Sequence, residues 1–148
     1  MIFLRDGLTA ARAGSRRAKR RGSQRRSDRR PTRSQMALAA FFIGAGVNHF
    51  VMPRAYRQIV PPRLGDARAG VVVASGLAEI AGGLGVLLPR VRRPAGVGLI
   101  ALLAAVFPAN IHMAREPERF RRIPRWALYG RLPLQPLMMW WAWRATRR

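Results

Sequence analysis

Residues 69–88 read AGVVVASGLAEIAGGLGVLL and contain a single charged side chain, Glu79, near their middle. A helix of this length spans about 30 Å, which is the thickness of the hydrocarbon core of a bilayer. A buried helix of a soluble protein is the alternative reading for one such run taken alone. The stretch therefore predicts a transmembrane helix if further apolar runs accompany it.

Such runs lie on both sides of this stretch, at 36–52, 95–114 and 126–143. The last of them, WALYGRLPLQPLMMWWAW, is interrupted by Arg131 and two prolines, and its tryptophan cluster is typical of a membrane interface. Proline is tolerated in membrane helices where neighbouring groups satisfy the freed carbonyls. Short connections make consecutive helices antiparallel neighbours. We therefore predict an all-α fold, a transmembrane antiparallel four-helix bundle over residues 36–144.

Residues 1–35 form a basic tail in which arginines alternate with small polar residues. Such a composition cannot bury a core, so we predict that the tail is disordered. It lacks the apolar stretch of a signal peptide. The whole chain carries a formal charge of +22, and its basic residues flank the apolar runs. This arrangement favours the lipid bilayer over nucleic acid as the partner.

The distribution of basic residues also bears on orientation. With both termini inside, most of the arginines, including those of the tail, face the cytoplasm, as the positive-inside rule requires. Without the tail, the loops alone favour the reverse. We predict a multi-pass protein of the plasma membrane with both termini cytoplasmic.

Cysteine is absent from the sequence and only two histidines occur. Thiol chemistry and zinc–thiolate sites are thereby excluded, and we predict no metal site. Motifs for nucleotide binding, a serine nucleophile or a zinc protease are also absent. No cofactor is evident, although quinone stays open. These observations favour a protein that is not an enzyme.

Polar residues inside membrane spans are costly, which makes each of them a candidate for function. The predicted bundle brings them to one layer near one membrane face, with Ser75 and Glu79 four residues apart on one helix face. The candidate intramembrane site consists of Asn48, His49, Ser75, Glu79, Asn110, Arg131 and Gln135. The alternative is that these side chains only hydrogen-bond between helices, with Arg131 and His112 reaching towards the interface.

Glu79 is the sharpest candidate, because an isolated carboxylate in hydrocarbon is unfavourable by several kcal/mol. We predict that it faces the bundle interior. We also predict that it hydrogen-bonds His49, Asn110 or Arg131, either paired with the arginine or held protonated.

Four strings together resemble the DoxX-like family of small membrane proteins: FFIGAGVNHFVMPRAYRQIVPP, SGLAEIAGGLGVLLP, AVFPANIHMA and RLPLQPLMMWWAW. They cover about 35–144. The resemblance implies a four-helix membrane bundle and an association with membrane redox complexes, without an established catalytic residue set. The basic tail departs from the pattern of that family.

Three functions follow from these observations. The first is an accessory subunit of a membrane redox or respiratory assembly, with a membrane oxidoreductase as its partner and no catalysis of its own. The second is a quinone-reactive protein that uses Glu79 and the polar layer. The third is a pathway for protons or a small solute through the same layer. The sequence leaves the oligomeric state open.

Overall fold

The computed structural model describes residues 30–121 and 123–147, without the side chain of Arg63. This part of the chain is helical and contains no strand. Short 3₁₀ turns connect the helices at Pro62–Leu64 and Pro117–Phe120. The five α-helices are α1 (Arg33–Val51), α2 (Pro53–Ile59), α3 (Ala67–Leu87), α4 (Arg92–Arg115) and α5 (Arg125–Thr146).

Helix α1 begins at Arg33, three residues before the predicted span, because Thr32 and Gln35 form a capping box. The Gln35 backbone N–H donates to Thr32 Oγ1 at 3.3 Å, and the Thr32 N–H donates to Gln35 Oε1 at 2.9 Å. Reciprocal bonds of this kind satisfy backbone donors that a helix start leaves free. The end of the predicted tail is thus helical, while residues 1–29 and their predicted disorder lie outside the described residues.

Helices α1, α3 and α4 are long and apolar enough to cross a membrane. Large apolar side chains on them, among them Leu77 and Val97, point outward and are more than half exposed. Water would disfavour so much exposed apolar surface, whereas lipid favours it. The prediction of an all-helical chain suited to a membrane is confirmed. Helix α5 has 22 residues but a more polar composition, and the fourth span stays a prediction.

Glycines bring α1 and α3 into close contact. A Cβ atom placed on Gly46 would lie 2.6 Å from the carbonyl oxygen of Gly76, and one placed on Gly83 would lie 3.0 Å from that of Ala39. Small residues allow helix backbones to approach in lipid, where packing replaces the hydrophobic driving force.

The buried core lies where α1, α3, α4 and α5 meet. Gly96 of α4 packs against Thr146, and a Cβ atom at this glycine would lie 2.6 Å from the threonine Cβ. The core side chains are Leu38, Phe42, Val86, Leu99, Met138, Ala142 and Ala145. We call this region the closed end of the helices, since α1 begins and α5 ends there.

Helix α2 was not predicted, because residues 53–68 read as a connection. Pro53 occupies the first helical position, where its missing N–H costs nothing and its fixed φ favours a helix. The chain turns at Met52, so that α2 folds back beside the last turn of α1. This region, where α1 ends and α5 begins, is called the cavity end.

Candidate functional site

A cavity of about 220 Å³ lies between the helices at the cavity end. All five α-helices contribute to its wall. Aliphatic, phenylalanine and methionine side chains form most of the lining, which is therefore mainly apolar. Six polar side chains interrupt it: His49, Tyr56, Glu79, Asn110, Arg131 and Gln135.

Five of the seven residues proposed from the sequence line this cavity, and two do not. Asn48 lies just outside it, where its Nδ2 donates to the hydroxyl of Tyr56 at 3.0 Å. Ser75 sits one turn before Glu79 on α3 but takes no part in the lining. His112 also lies elsewhere, with its Nδ1 atom 3.3 Å from a carboxylate oxygen of Glu116.

Glu79 faces the interior, and its side chain is 15% exposed. Its Oε2 atom lies 3.5 Å from His49 Nδ1 and is buried without a hydrogen-bond partner among the described residues. The predicted hydrogen bond to His49, Asn110 or Arg131 is therefore wrong for this oxygen. The reason is that His49 Nδ1 lies only 2.9 Å from the backbone carbonyl of Ala45, one turn earlier. A single ring N–H directed to that carbonyl is not available to the carboxyl group.

Asn110 and Gln135 join α4 to α5 through their side-chain amides. The Asn110 amide nitrogen donates to Gln135 Oε1, and the Gln135 amide nitrogen donates to the backbone carbonyl of Leu103. Gln135 is buried, and both ends of its amide are engaged. A buried polar group bonded in this way stabilises the helix pair and orients the Asn110 side chain in the cavity wall.

Arg131 brings the only guanidinium group to this lining. Its Nη1 atom lies 3.7 Å from the sulfur of Met113, which is a weak acceptor. No carboxylate of the described residues lies within the 4.0 Å of an ion pair with this group. The cavity thus contains a strong hydrogen-bond donor, Arg131, that has only a weak acceptor. It also contains a Glu79 carboxyl oxygen that has no hydrogen-bond partner among the described residues.

Tyr56 is the cavity residue that sequence reasoning missed. Its ring stacks on that of His49, with the ring centroids 3.8 Å apart and the planes at 29°. Tyr56 comes seven residues after His49, which would place the two rings on one face only if α1 continued. The break at Met52–Pro53, with a proline suited to a helix start, was the sequence feature that could have predicted this contact.

Arg131 and two apolar residues of the cavity wall are exposed on the outer surface of the helices. Phe41 of α1 and Leu134 of α5 line the cavity, yet they are 47% and 46% exposed. At the closed end, by contrast, α1 and α5 are held together: Gln35 Nε2 donates to the carbonyl of Ala145 at 2.8 Å. On the side where the cavity lies, residues of both helices thus line the cavity and are also exposed on the outside of the helices.

Residues 38–146 match the model of a family described as a domain of unknown function, DUF8561. The chain belongs to this family. The DUF8561 domain contains every residue of the cavity wall. No curated protein and no solved structure matches the chain. The resemblance to DoxX-like proteins stays a prediction.

Proposed function

We propose that this DUF8561 protein binds a neutral ligand of the quinone type, with its polar head group in the cavity and an apolar tail in the lipid. The observation that carries the proposal is the cavity itself, which combines mainly apolar walls, a Glu79 oxygen without a hydrogen-bond partner among the described residues, an arginine bonded only to a sulfur, and two exposed apolar residues, Phe41 and Leu134. A quinone carbonyl accepts a hydrogen bond, as Arg131 requires. The hydroxyl of a quinol donates one, as the Glu79 carboxylate requires.

Cavity size supports a head group rather than a whole lipid-like molecule. Pockets that enclose drug-sized ligands measure roughly 300–1,000 Å³. The present cavity, at about 220 Å³, is smaller. A ring with its substituents fits such a volume, while a long tail has to extend beyond it. This is the arrangement expected for a ligand that arrives from within the bilayer.

The binding experiment uses the purified full chain in detergent and, as the probe, a decyl-substituted benzoquinol kept reduced, whose hydroxyl groups can donate to Glu79 and accept from Arg131. Isothermal titration calorimetry should show saturable binding. Hydrogen bonds to charged groups contribute about 1.5–3 kcal/mol, so Glu79→Gln and Arg131→Gln should each weaken binding by roughly tenfold or more. Arg144→Gln is the matched control on α5, since Arg144 lies outside the cavity wall.

A variant that fills the cavity provides the decisive contrast. Ala45 lies in the wall, and Ala45→Leu should abolish binding by occupying the space of the head group. Unchanged affinity in this variant, with its thermal unfolding preserved, would show that the probe binds elsewhere.

The proposal includes a fourth membrane span and an antiparallel order of the helices. Gly83 packs near Ala39 and Gly76 near Gly46, which supports opposite directions for α1 and α3. Helix α5 would be about 33 Å long at a rise of 1.5 Å per residue, enough to cross. Arg131, in the second turn of this helix, lines the cavity, which explains why a spanning helix would carry it.

Single cysteines can test this topology, because the natural chain has none. Arg90→Cys lies between α3 and α4, and Arg121→Cys lies between α4 and α5. Membrane-impermeant maleimide should label them from opposite sides of sealed plasma-membrane vesicles, with Arg90 on the cytoplasmic side. Labelling of both from one side would contradict the crossing of α4.

An accessory role in a membrane redox assembly, as the DoxX-like resemblance suggests, is compatible with the same cavity. A subunit without redox side chains could hold a quinone for a membrane oxidoreductase that performs the electron transfer. Copurification from native membranes, followed by mass spectrometry, tests this part separately. An oxidoreductase should be recovered with the tagged chain and lost when the membranes are dispersed in a harsher detergent.

A further inference from the structure

A second depression, of about 260 Å³, lies at the cavity end but outside the helices, and its wall is strongly basic. Three arginines from three separate segments line it: Arg57 of α2, Arg68 of α3 and Arg119 of the 3₁₀ turn after α4. We call this depression the arginine groove. The lining also contains one carboxylate, that of Asp66.

The positive charges in the arginine groove are only partly balanced by carboxylates of the described residues. Arg57 and Asp66 form no ion pair within 4.0 Å among the described residues, and Arg119 Nη1 is 3.7 Å from a Glu116 oxygen. Three guanidinium groups therefore face one carboxylate in the lining. The N-terminus of α3, which also favours negative charge, contributes Ala69 to the same wall.

One of the three arginines is held in place by the backbone. Arg68 Nε donates to the carbonyl of Gly65 at 3.0 Å, and Gly65 adopts a φ of +49°, a conformation that other residues rarely adopt. The bond uses Nε, which leaves the two terminal nitrogens for a ligand. Guanidinium groups bind phosphate oxygens in a bidentate manner.

The groove lies beside the ends of the three helices that are apolar enough to cross a membrane. Helix α1 ends at Val51, α3 begins at Ala67 and α4 ends at Arg115, so the three helices suited to a membrane all terminate around it. Basic pockets beside membrane helices are suited to anionic head groups. We propose that the arginine groove binds an anion that carries a phosphate group. The position of the groove favours an anionic phospholipid.

Native mass spectrometry of the full chain in detergent tests this proposal. The probes are phosphatidylglycerol and phosphatidylcholine with identical acyl chains, each added at several concentrations. Phosphatidylglycerol should bind more tightly. Each arginine near an anionic lipid contributes to its binding, and the loss of one arginine should weaken binding roughly fivefold. Arg57→Gln/Arg119→Gln should therefore show a much larger loss of affinity than either change alone.

The matched control is Arg54→Gln/Arg121→Gln, which removes the same charge from α2 and from the connection between α4 and α5, but outside the groove. It should retain the preference for phosphatidylglycerol. A second variant, Arg57→Lys/Arg119→Lys, keeps the charge and loses the bidentate geometry, and should give an intermediate affinity. Equal binding of the two lipids, or equal losses in the groove and control variants, would overturn the proposal.

Inorganic phosphate distinguishes the two sources of the ligand. If millimolar phosphate fails to displace phosphatidylglycerol, the groove is a lipid site. If phosphate binds alone and loses affinity in Arg57→Gln/Arg119→Gln, the groove takes a free phosphate group, and the recognition chemistry stands. Neither outcome depends on the quinone-type ligand, because none of the three arginines lines the inner cavity.

Discussion

The two ends of the helices differ in how their polar groups are bonded, although one buried atom at the closed end, Arg92 Nη2, also has no hydrogen-bond partner among the described residues. At the closed end, Gln35 bonds to the carbonyl of Ala145, and Thr146 Oγ1 donates to that of Ala142 at 2.7 Å. At the cavity end, Glu79 and Arg131 lack good partners and face an open space. A polar residue inside an apolar helix is therefore not by itself a sign of function. Whether such a residue is available for function depends on whether other groups of the protein already form its hydrogen bonds.

The largest loss of stability should come from the tightest packing at the closed end. In Gly96→Ala, the new methyl group would overlap Thr146, and we expect a loss of about 3 kcal/mol, at the upper end for overpacking. Gly98→Ala is the control on the same helix, since nothing lies within 4 Å of its new Cβ atom. Unfolding by sodium dodecyl sulfate, followed by circular dichroism, measures both. Equal stabilities would mean that α4 and α5 do not pack as described.

A smaller loss should follow from Gln35→Leu, which leaves the Ala145 carbonyl without its donor and removes half of the capping box. We expect about 2 kcal/mol, within the range for a buried group left unpaired. The same unfolding assay measures it. Ser34→Ala is the control on the adjacent residue, because the bond that Ser34 accepts from Trp141 is exposed. If Gln35→Leu unfolds like the natural chain, the closed end is not held by this bond.

The opposite sign is expected at the cavity end. Glu79→Leu removes a buried oxygen that has no hydrogen-bond partner, and we expect a gain of about 1 kcal/mol together with the loss of quinone binding. The gain should appear as a higher midpoint of detergent unfolding. A clear loss of stability instead would show that the Glu79 carboxyl group is structural, and the contrast between the two ends would disappear.

Glu79→Gln should have the smallest effect on stability, below about 0.5 kcal/mol, because it retains the shape and polarity of the side chain. If the cavity serves a ligand, binding should nevertheless fall. Measuring unfolding and probe affinity on the same preparation separates the two effects. A variant that keeps full affinity would remove Glu79 from the ligand site and leave Arg131 as its main polar group.

The sequence predicted the long helices well because long apolar runs leave few alternatives in a membrane. It placed the start of α1 at 36 rather than Arg33, since the capping box depends on how the Thr32 and Gln35 side chains turn. It missed α2, because seven residues show no clear periodicity and the helix depends on its contacts with α1 and α3.

The candidate site was predictable in its residues but not in its bonds. Spacing alone suggested that His49 and Glu79 approach each other, and their atoms lie 3.5 Å apart. Spacing could not show that the His49 ring turns towards the Ala45 carbonyl of its own helix. The bond between Gln35 and Ala145 could not be predicted either, because 110 positions separate the two residues and no local pattern links them.

The bonds at the closed end also have a consequence for the order of biosynthesis. Gln35 and Ser34 belong to the first of the described helices, and their partners Ala145 and Trp141 belong to the last. Domains begin to fold while the ribosome is still adding residues. Helices α1 and α3 can therefore pair early through their glycines, whereas the Gln35 amide waits in the translocon or the lipid until α5 has been made. A ribosome stalled before Trp141 should thus hold a chain that is inserted but still open to its quality-control proteases.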